Sequence, residues 1–384
     1  MSGLSRRDWM AMAGTAAAAG MTASAADAAP AGSLHAIAAA KGLGFGSCIG
    51  NGAESASFKD EGVRGVHVKE CGIVVPENEL KWVQLRPNPK EFTFYPADQV
   101  IEWGEANGMK VRGHTLLWHK TEWMPDWLNK YDFGPRPAAE AERLLREHIT
   151  TVCSRYGNRI FTYDVVNETI DPETGNIRDT VLSRHLGDAV VDICFDAARK
   201  AAPQARLVYN DYMSWSAASA RHRDGVLKLL NRLKTASAPV QLLGIQSHIG
   251  PGLLGGVQGT RTFDAKMQAD WKSFLDSVVG MGFDLAVTEF DVSEVGTPSD
   301  IAERDKVLAD LTRLYFDFML AYKQVNYVMA WGMVDHYSWL QTRNPRPDGM
   351  MKRGLLYDDN YQPKLMRQAL ADAFRAAPAR ESKL

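Results

Sequence analysis

The chain has 384 residues, 45% hydrophobic and 23% charged, with a formal net charge of −2. That is a globular composition with ample length for a large core. With no basic block and no basic helix, it carries no electrostatic footprint for nucleic acid or another polyanion. In chain order, the first thirty residues stand apart: a paired Arg6-Arg7 inside Ser5-Arg6-Arg7-Asp8-Trp9-Met10 precedes a weakly apolar, Ala-rich run with small-residue cleavage candidates at 23–25 and 26–28. This looks like a twin-arginine export signal, too short and too weakly apolar to span a membrane. Residues 1–30 are therefore set aside from the fold, and the expected destination is the periplasm or the exterior.

From residue 31 onward, short apolar runs alternate with longer segments of helical period. The expected strands are 43–49 (LGFGSCI), 72–75 (GIVV), 110–116 (KVRGHTL), 161–166 (FTYDVV), 205–210 (ARLVYN), 241–247 (QLLGIQS), 285–289 (LAVTE) and 327–332 (YVMAWG). Between them, segments such as 137–157, 188–203, 223–235, 264–282 and 304–322 place apolar residues three and four apart. About eight strands in strict alternation with helices predict a parallel sheet, because parallel neighbours need a crossover. Eight such units predict closure into a (β/α)8 TIM barrel, a single α/β domain over 31–384. An open doubly wound sheet is the other arrangement, but no glycine-rich phosphate loop follows the first strand. Cys48, Cys71, Cys153 and Cys194 show no metal-ligand spacing. Export permits disulfides, yet Cys153 and Cys194 lie on apolar helical stretches where a buried thiol is expected.

In a barrel of this kind chemistry gathers at the C-terminal ends of the strands. The second strand runs into Glu77, Asn78 and Lys81, and the third ends in His114, with Trp118 and His119 beyond. The fourth ends in Asn167 and Glu168, the fifth in Asn210, Asp211 and Tyr212, and the sixth in Gln246, Ser247 and His248. The seventh ends in Glu289 with Asp291 after it, and the eighth in Trp331 with Asp335 and Trp339 beyond. One polar residue at a strand end is usually a helix cap. Seven strand ends carrying carboxylates, amides, imidazoles and indoles on one side predict a shared cleft. Two carboxylates facing across a cleft suit glycoside hydrolysis, one protonating the leaving oxygen and the other attacking the sugar or activating water. The indoles and Tyr212 would offer flat faces to sugar rings.

The segments 76–82 (PENELKW), 113–119 (GHTLLWH), 164–168 (DVVNE), 209–212 (YNDY), 244–248 (GIQSH), 287–292 (VTEFDV), 331–340 (WGMVDHYSWL) and 355–364 (LLYDDNYQPK), in this order, resemble the endo-1,4-β-xylanases of glycoside hydrolase family 10. The likeness runs from about residue 43 to about residue 375. It implies Glu168 as acid/base, Glu289 as nucleophile and a retaining mechanism, with carboxyls about 5–5.5 Å apart. It implies Asn167 on the 2-hydroxyl of the sugar being cleaved, and His248 bonded to Glu289 with Gln246 nearby. Glu77, Asn78 and Lys81 would grip the non-reducing side. His114, Trp118, Trp331 and Trp339 would wall the cleaved sugar, and Tyr212 would stack on the leaving side. The substrate would be xylan or xylo-oligosaccharide, with no cofactor and no metal.

The chain departs from the family pattern at 120–125, where Lys120-Thr121-Glu122-Trp123 replaces the frequent Ser-Gln after Trp-His, and Phe290, Met213 and His336 are further changes. A Gly-rich stretch at 250–263 could cover the leaving-side subsites. Related barrels acting on glucan or mannan share the two glutamates. A sugar-binding protein would not need both carboxylates. A metal hydrolase would use His114, His119, His248 and Asp211, but the first strand lacks the His-x-His usual in such barrels. No additional carbohydrate-binding module is expected, because the barrel consumes the mature chain. Oligomeric state is not readable from the sequence, and a monomer is the expectation.

Overall fold

A computed structural model describes residues 32–52, 55–250, 265–294, 296–343 and 345–384. The expected export segment at 1–30, and all but the first residue of the Gly-rich stretch at 250–263, lie outside the described residues. Eight parallel strands form the barrel: β1 (Gly44–Ile49), β2 (Ile73–Pro76), β3 (Lys110–Gly113), β4 (Ile160–Asn167), β5 (Arg206–Asp211), β6 (Leu242–Ile245), β7 (Asp284–Val292) and β8 (Val325–Ala330). Each pairs with the next in chain order, and β8 pairs back onto β1 with Gly44 opposite Tyr327 and Ser47 opposite Ala330, which closes the cylinder. The strands read as near-continuous apolar runs because both of their faces are covered.

Helices such as Glu61–Glu70, Tyr95–Ala106, Pro137–Tyr156 and Ile301–Met319 return the chain between strands. In Pro137–Tyr156, Pro sits in the first turn, where its missing N–H costs nothing. Its buried face is Ala141, Leu144, Leu145, His148, Ile149, Val152 and Tyr156, at spacings of three and four. The helix stops at Gly157, whose φ of 49° is open to glycine. An outer layer of apolar side chains joins helices to sheet, while an inner cluster that includes Ile73, Val75, Val208, Leu242, Ala286, Tyr327 and Met329 fills the barrel.

The floor of the barrel is closed by the end of the chain. Leu384 and Phe161 both pack on the inner cluster. Arg380 donates to the carbonyls of Leu320, Tyr322 and Val325 at 2.8–3.1 Å. Lys383 and Arg206 both pair with Asp284 at the start of β7. The four cysteines are buried and unpaired.

Strand limits differ from the sequence reading at two places that matter. The third strand ends at Gly113, and Leu117–Trp118 forms a separate short pairing against the end of β4. Residue 248 does not continue β6. His248–Ile249 pairs instead with Asp291 and Val292 at the end of β7, so His248 lies beside that strand. β7 runs on to Val292, which places Glu289 inside the strand.

Candidate active site

Glu168 follows β4 directly and has φ of +55°, a left-handed backbone that a glutamate rarely adopts. Neighbours hold it there. Its N–H donates to the Asn210 carbonyl at 2.9 Å, and Arg178 Nε donates to its carbonyl at 2.8 Å. The side chain is buried, with Oε1 accepting from Gln246 Nε2 at 3.0 Å and Oε2 lying 3.5 Å from Lys120 Nζ.

Glu289 is differently provided for. Oε1 accepts from Asn210 Nδ2 at 2.7 Å, and Oε2 is 3.3 Å from His248 Nε2. Burial alone would push this carboxyl up. The hydrogen bond from His248 and the positive character of His114, His248 and Arg112 outweigh it and hold the carboxyl at about 2. His248 in turn lies 3.0 Å from Asp291 Oδ2 by its other ring nitrogen. Burial opposes its charge, yet the two carboxylates win and raise it to about 10, so at neutral pH it is an imidazolium hydrogen-bonded to Glu289 and ion-paired with Asp291. Trp339 Nε1 donates to Asp291 at 2.6 Å and sets its ring edge-on to His248, completing a chain from Trp339 through Asp291 and His248 to Glu289.

Amides join the two carboxylates. Asn210 Nδ2 also donates to Asn167 Oδ1 at 2.9 Å, and Gln246 Nε2 reaches the same oxygen at 3.3 Å. The carbonyl of Asn167 is thereby occupied, and its buried Nδ2 has no partner among the described residues. A donor is thus left unspent in the cleft. Thr288 Oγ1 fixes the other end of Asn210 at 2.6 Å, and Gly244 leaves room for that amide, since a Cβ there would lie 2.3 Å from Asn210 Oδ1.

Beneath the carboxylates the interior is ionic. Arg112 of β3 and Asp164 of β4 are fully buried and directly paired, and Arg112 also donates across the barrel to the Thr288 carbonyl at 3.2 Å. Asp164 accepts from His114 Nδ1 at 2.7 Å. Burial lowers His114, and because a carboxylate can only accept, its Nδ1 carries the hydrogen that faces Asp164. His114, Asp164 and Glu289 bring ligand atoms within 4.8 Å of one another. The buried guanidinium of Arg112 already supplies the cation that those carboxylates face. Neither Arg112 nor Asp164 was expected from the sequence as a site residue, although a charge in the middle of an apolar strand is a signal that could have found them. Asn210 and Asp291 were visible at strand ends, without an assigned role.

The remaining expected residues border the same cleft. Lys81 Nζ donates to Asn78 Oδ1 at 2.7 Å and lies 4.7 Å and 5.8 Å from the ring centres of Trp118 and Trp331. Glu77 is half-buried at the end of β2. The neighbouring Glu79 is buried and accepts the N–H groups of Asn51 and Asn78, which secures the loop. Trp331 is buried edge-on against His114.

Two of the expected aromatics are also engaged within the protein. Trp118 was to offer a flat face to sugar, but Trp123 stacks on it at 4.5 Å and 6°, with the Lys81 ammonium also over its ring. Most of its π surface is spent within the protein. Tyr212 has its hydroxyl bonded by Arg178 at 2.7 Å and its ring edge-on to His222, so it is a fixed, half-buried wall. The metal arrangement does not assemble either. His119 is buried against Thr180 Oγ1 at 2.9 Å, and Asp211 is engaged by Tyr209 and His222.

Two acids at one barrel mouth, one held firmly as the anion and the other bridged to it only by amides, are the equipment of a glycoside hydrolase. The sequence model of glycosyl hydrolase family 10 matches residues 33–373. Endo-1,4-beta-xylanase 3 of Hypocrea jecorina is 32% identical over 299 residues, 77% of this chain and 73% of that one. A beta-1,4-xylanase of Dictyoglomus thermophilum is 32% identical over 310 residues, 77% and 80% of the two chains. The crystal structure of xylanase 10B from Thermotoga petrophila in complex with xylobiose superposes with a TM-score of 0.76 at 27% identity, covering 89% of this chain and 97% of that one. The chain belongs to glycosyl hydrolase family 10.

Proposed function

We propose that the protein is a retaining endo-1,4-β-xylanase in which Glu289 is the nucleophile and Glu168 the acid/base. The observation that carries the assignment is the unequal treatment of the two carboxyls: Glu289 is kept near 2 by His248, His114 and Arg112, whereas Glu168 meets a neutral amide and a single lysine. A carboxyl held as the anion attacks the anomeric carbon, and the glycosidic C–O bond breaks as Glu168 passes its proton to the leaving oxygen. Water then enters, gives a proton back to Glu168 and bonds to the anomeric carbon as the ester to Glu289 breaks. Asn167 Nδ2, already oriented by Asn210 and Gln246, would donate to the 2-hydroxyl of the sugar in the ester. Lys81, Asn78, Glu77 and His114 would hold the glycone hydroxyls, and Trp331, Trp339 and the edge of Trp118 would enclose that sugar. Tyr212 would border the leaving side. The xylanase names of relatives about 30% identical support xylan or xylo-oligosaccharide as substrate. The Arg6-Arg7 segment supports export by the twin-arginine route to the periplasm or beyond.

The test is incubation with xylohexaose, followed by proton NMR from the first minutes, with cellohexaose in parallel. Internal cleavage with the β-anomer first is expected, together with loss of nearly all turnover in folded Glu168→Ala and Glu289→Ala. An α-anomer first, or faster cleavage of cellohexaose, would overturn the proposal.

A further inference from the structure

The segment 120–125 places a charge against one of the two acids. Lys120 Nζ lies 3.5 Å from Glu168 Oε2 and 3.2 Å from Glu122 Oε1, and 5.9 Å from the centre of the Tyr212 ring. Its loop is held in place. Thr121–Trp123 forms a single 3-10 turn, Trp123 stacks on Trp118, and Asn129 Nδ2 donates to the Thr121 carbonyl at 2.9 Å. The lysine side chain is one-fifth exposed and the Glu168 side chain about one-tenth, whereas Glu122 is mostly in solvent. Screening therefore weakens the Lys120–Glu122 pair more than the Lys120–Glu168 contact.

We propose that Lys120 is a positioning residue for Glu168: its ammonium holds the carboxyl by Oε2, as the Gln246 amide does by Oε1, and favours the anion that proton donation leaves behind. The proposal rests on Glu168 being the acid/base. In the first half of the reaction Glu168 goes from acid to anion, and a cation beside it lowers the cost of that change. In the second half it takes a proton from water, and the same cation opposes the step. Lys120 therefore shifts effort from bond cleavage to ester hydrolysis. The other groups facing Glu168 are Gln246 from β6, Asn210 from β5, Tyr212 bonded to Arg178, the Arg178 guanidinium on its carbonyl, and Glu289 on β7. Of these, the Tyr212 ring also meets the Lys120 ammonium.

The experiment measures kcat/KM for xylohexaose against pH in the wild-type protein and in Lys120→Met, Lys120→Arg and Glu122→Gln. Glu168 must carry its proton to act, so removal of the ammonium moves the alkaline limb up, by about half a unit to one unit for a partly solvated pair. Lys120→Arg keeps the wild-type limb, and Glu122→Gln, which leaves the ammonium to Glu168 alone, moves it down. The same displacement is expected in a carbon-13 NMR titration of the Glu168 carboxyl, which needs no turnover. An active Lys120→Met enzyme with an unmoved limb, or a changed KM alone, overturns the role of Lys120 and leaves the xylanase reading standing. Absence of xylohexaose cleavage by the wild type overturns that reading, and the NMR titration then decides whether Lys120 acts on Glu168.

Discussion

Replacement of His248 by glutamine removes one cation from between two carboxylates and leaves a hydrogen-bond donor of similar reach. Glu289 stands at about 2, against an ordinary value of 4.5, even though burial pushes it upward. The gap corresponds to a preference for the anion on the order of 3 kcal/mol. His248 contributes to it both by its hydrogen bond and by its charge, whereas Asn210 and Arg112 would remain in the variant. We therefore expect His248→Gln to raise Glu289 by about one to two units. On the proposed role of Glu289 as the nucleophile, which acts as the anion, activity rises with pH through this value, and the acid limb of kcat/KM moves up by the same amount. The assay is kcat/KM for xylohexaose between pH 2.5 and 7, which reports groups of the free enzyme. The variant has a second signature. His248 is raised in the folded protein to about 10 from 6.5, so its stabilisation is full below 6.5 and is lost as pH rises through about 10. Wild-type Tm should fall across that window more than Tm of the variant does. An active His248→Gln enzyme with the wild-type acid limb would refute the reasoning, because Glu289 would then owe its ionisation to other groups.

Two further outcomes follow from the packing. Arg112→Met leaves the Asp164 carboxylate buried without its cation and should cost roughly 3–5 kcal/mol in urea unfolding, much of it recovered when Asp164→Leu is added; a single-variant cost below about 1 kcal/mol would contradict the pairing. Removal of residues 380–384 takes Leu384 from the floor and the Arg380 and Lys383 bonds with it, and should lower Tm by about 5 °C while kcat/KM at 25 °C stays within about twofold, so an unchanged Tm would show that the tail does not close the barrel.

Much of this was open to a reader of the sequence. Apolar runs such as IVV at 73–75 and LLGI at 242–245 announce strands covered on both faces, and the carboxylates and amides that follow them share one end because parallel strands all point the same way. What stayed hidden depends on closure of the sheet. Arg112 and Asp164 read as interruptions of two strands, and only the pairing of β3 with β4 turns them into one neutral unit. Trp118 and Trp123 are five residues apart, and nothing local predicts a stack until the 3-10 turn between them is in place. The charge at 120 was visible as a departure, but its partner lies 48 residues further on and is reached through the left-handed backbone at Glu168.

The run of contacts from Glu168 to Glu289 passes through Gln246, Asn167 and Asn210, all of them carboxamides. A row of hydroxyls or waters in that place would be a wire for protons. Carboxamides orient and support, but they do not accept and release protons near neutral pH. The two acids are therefore joined mechanically through this bridge, which offers a proton leaving Glu168 no relay to Glu289. Each can keep its own protonation state, and on the proposed mechanism the proton that Glu168 gives up in one half of the cycle is restored by water arriving at the cleft.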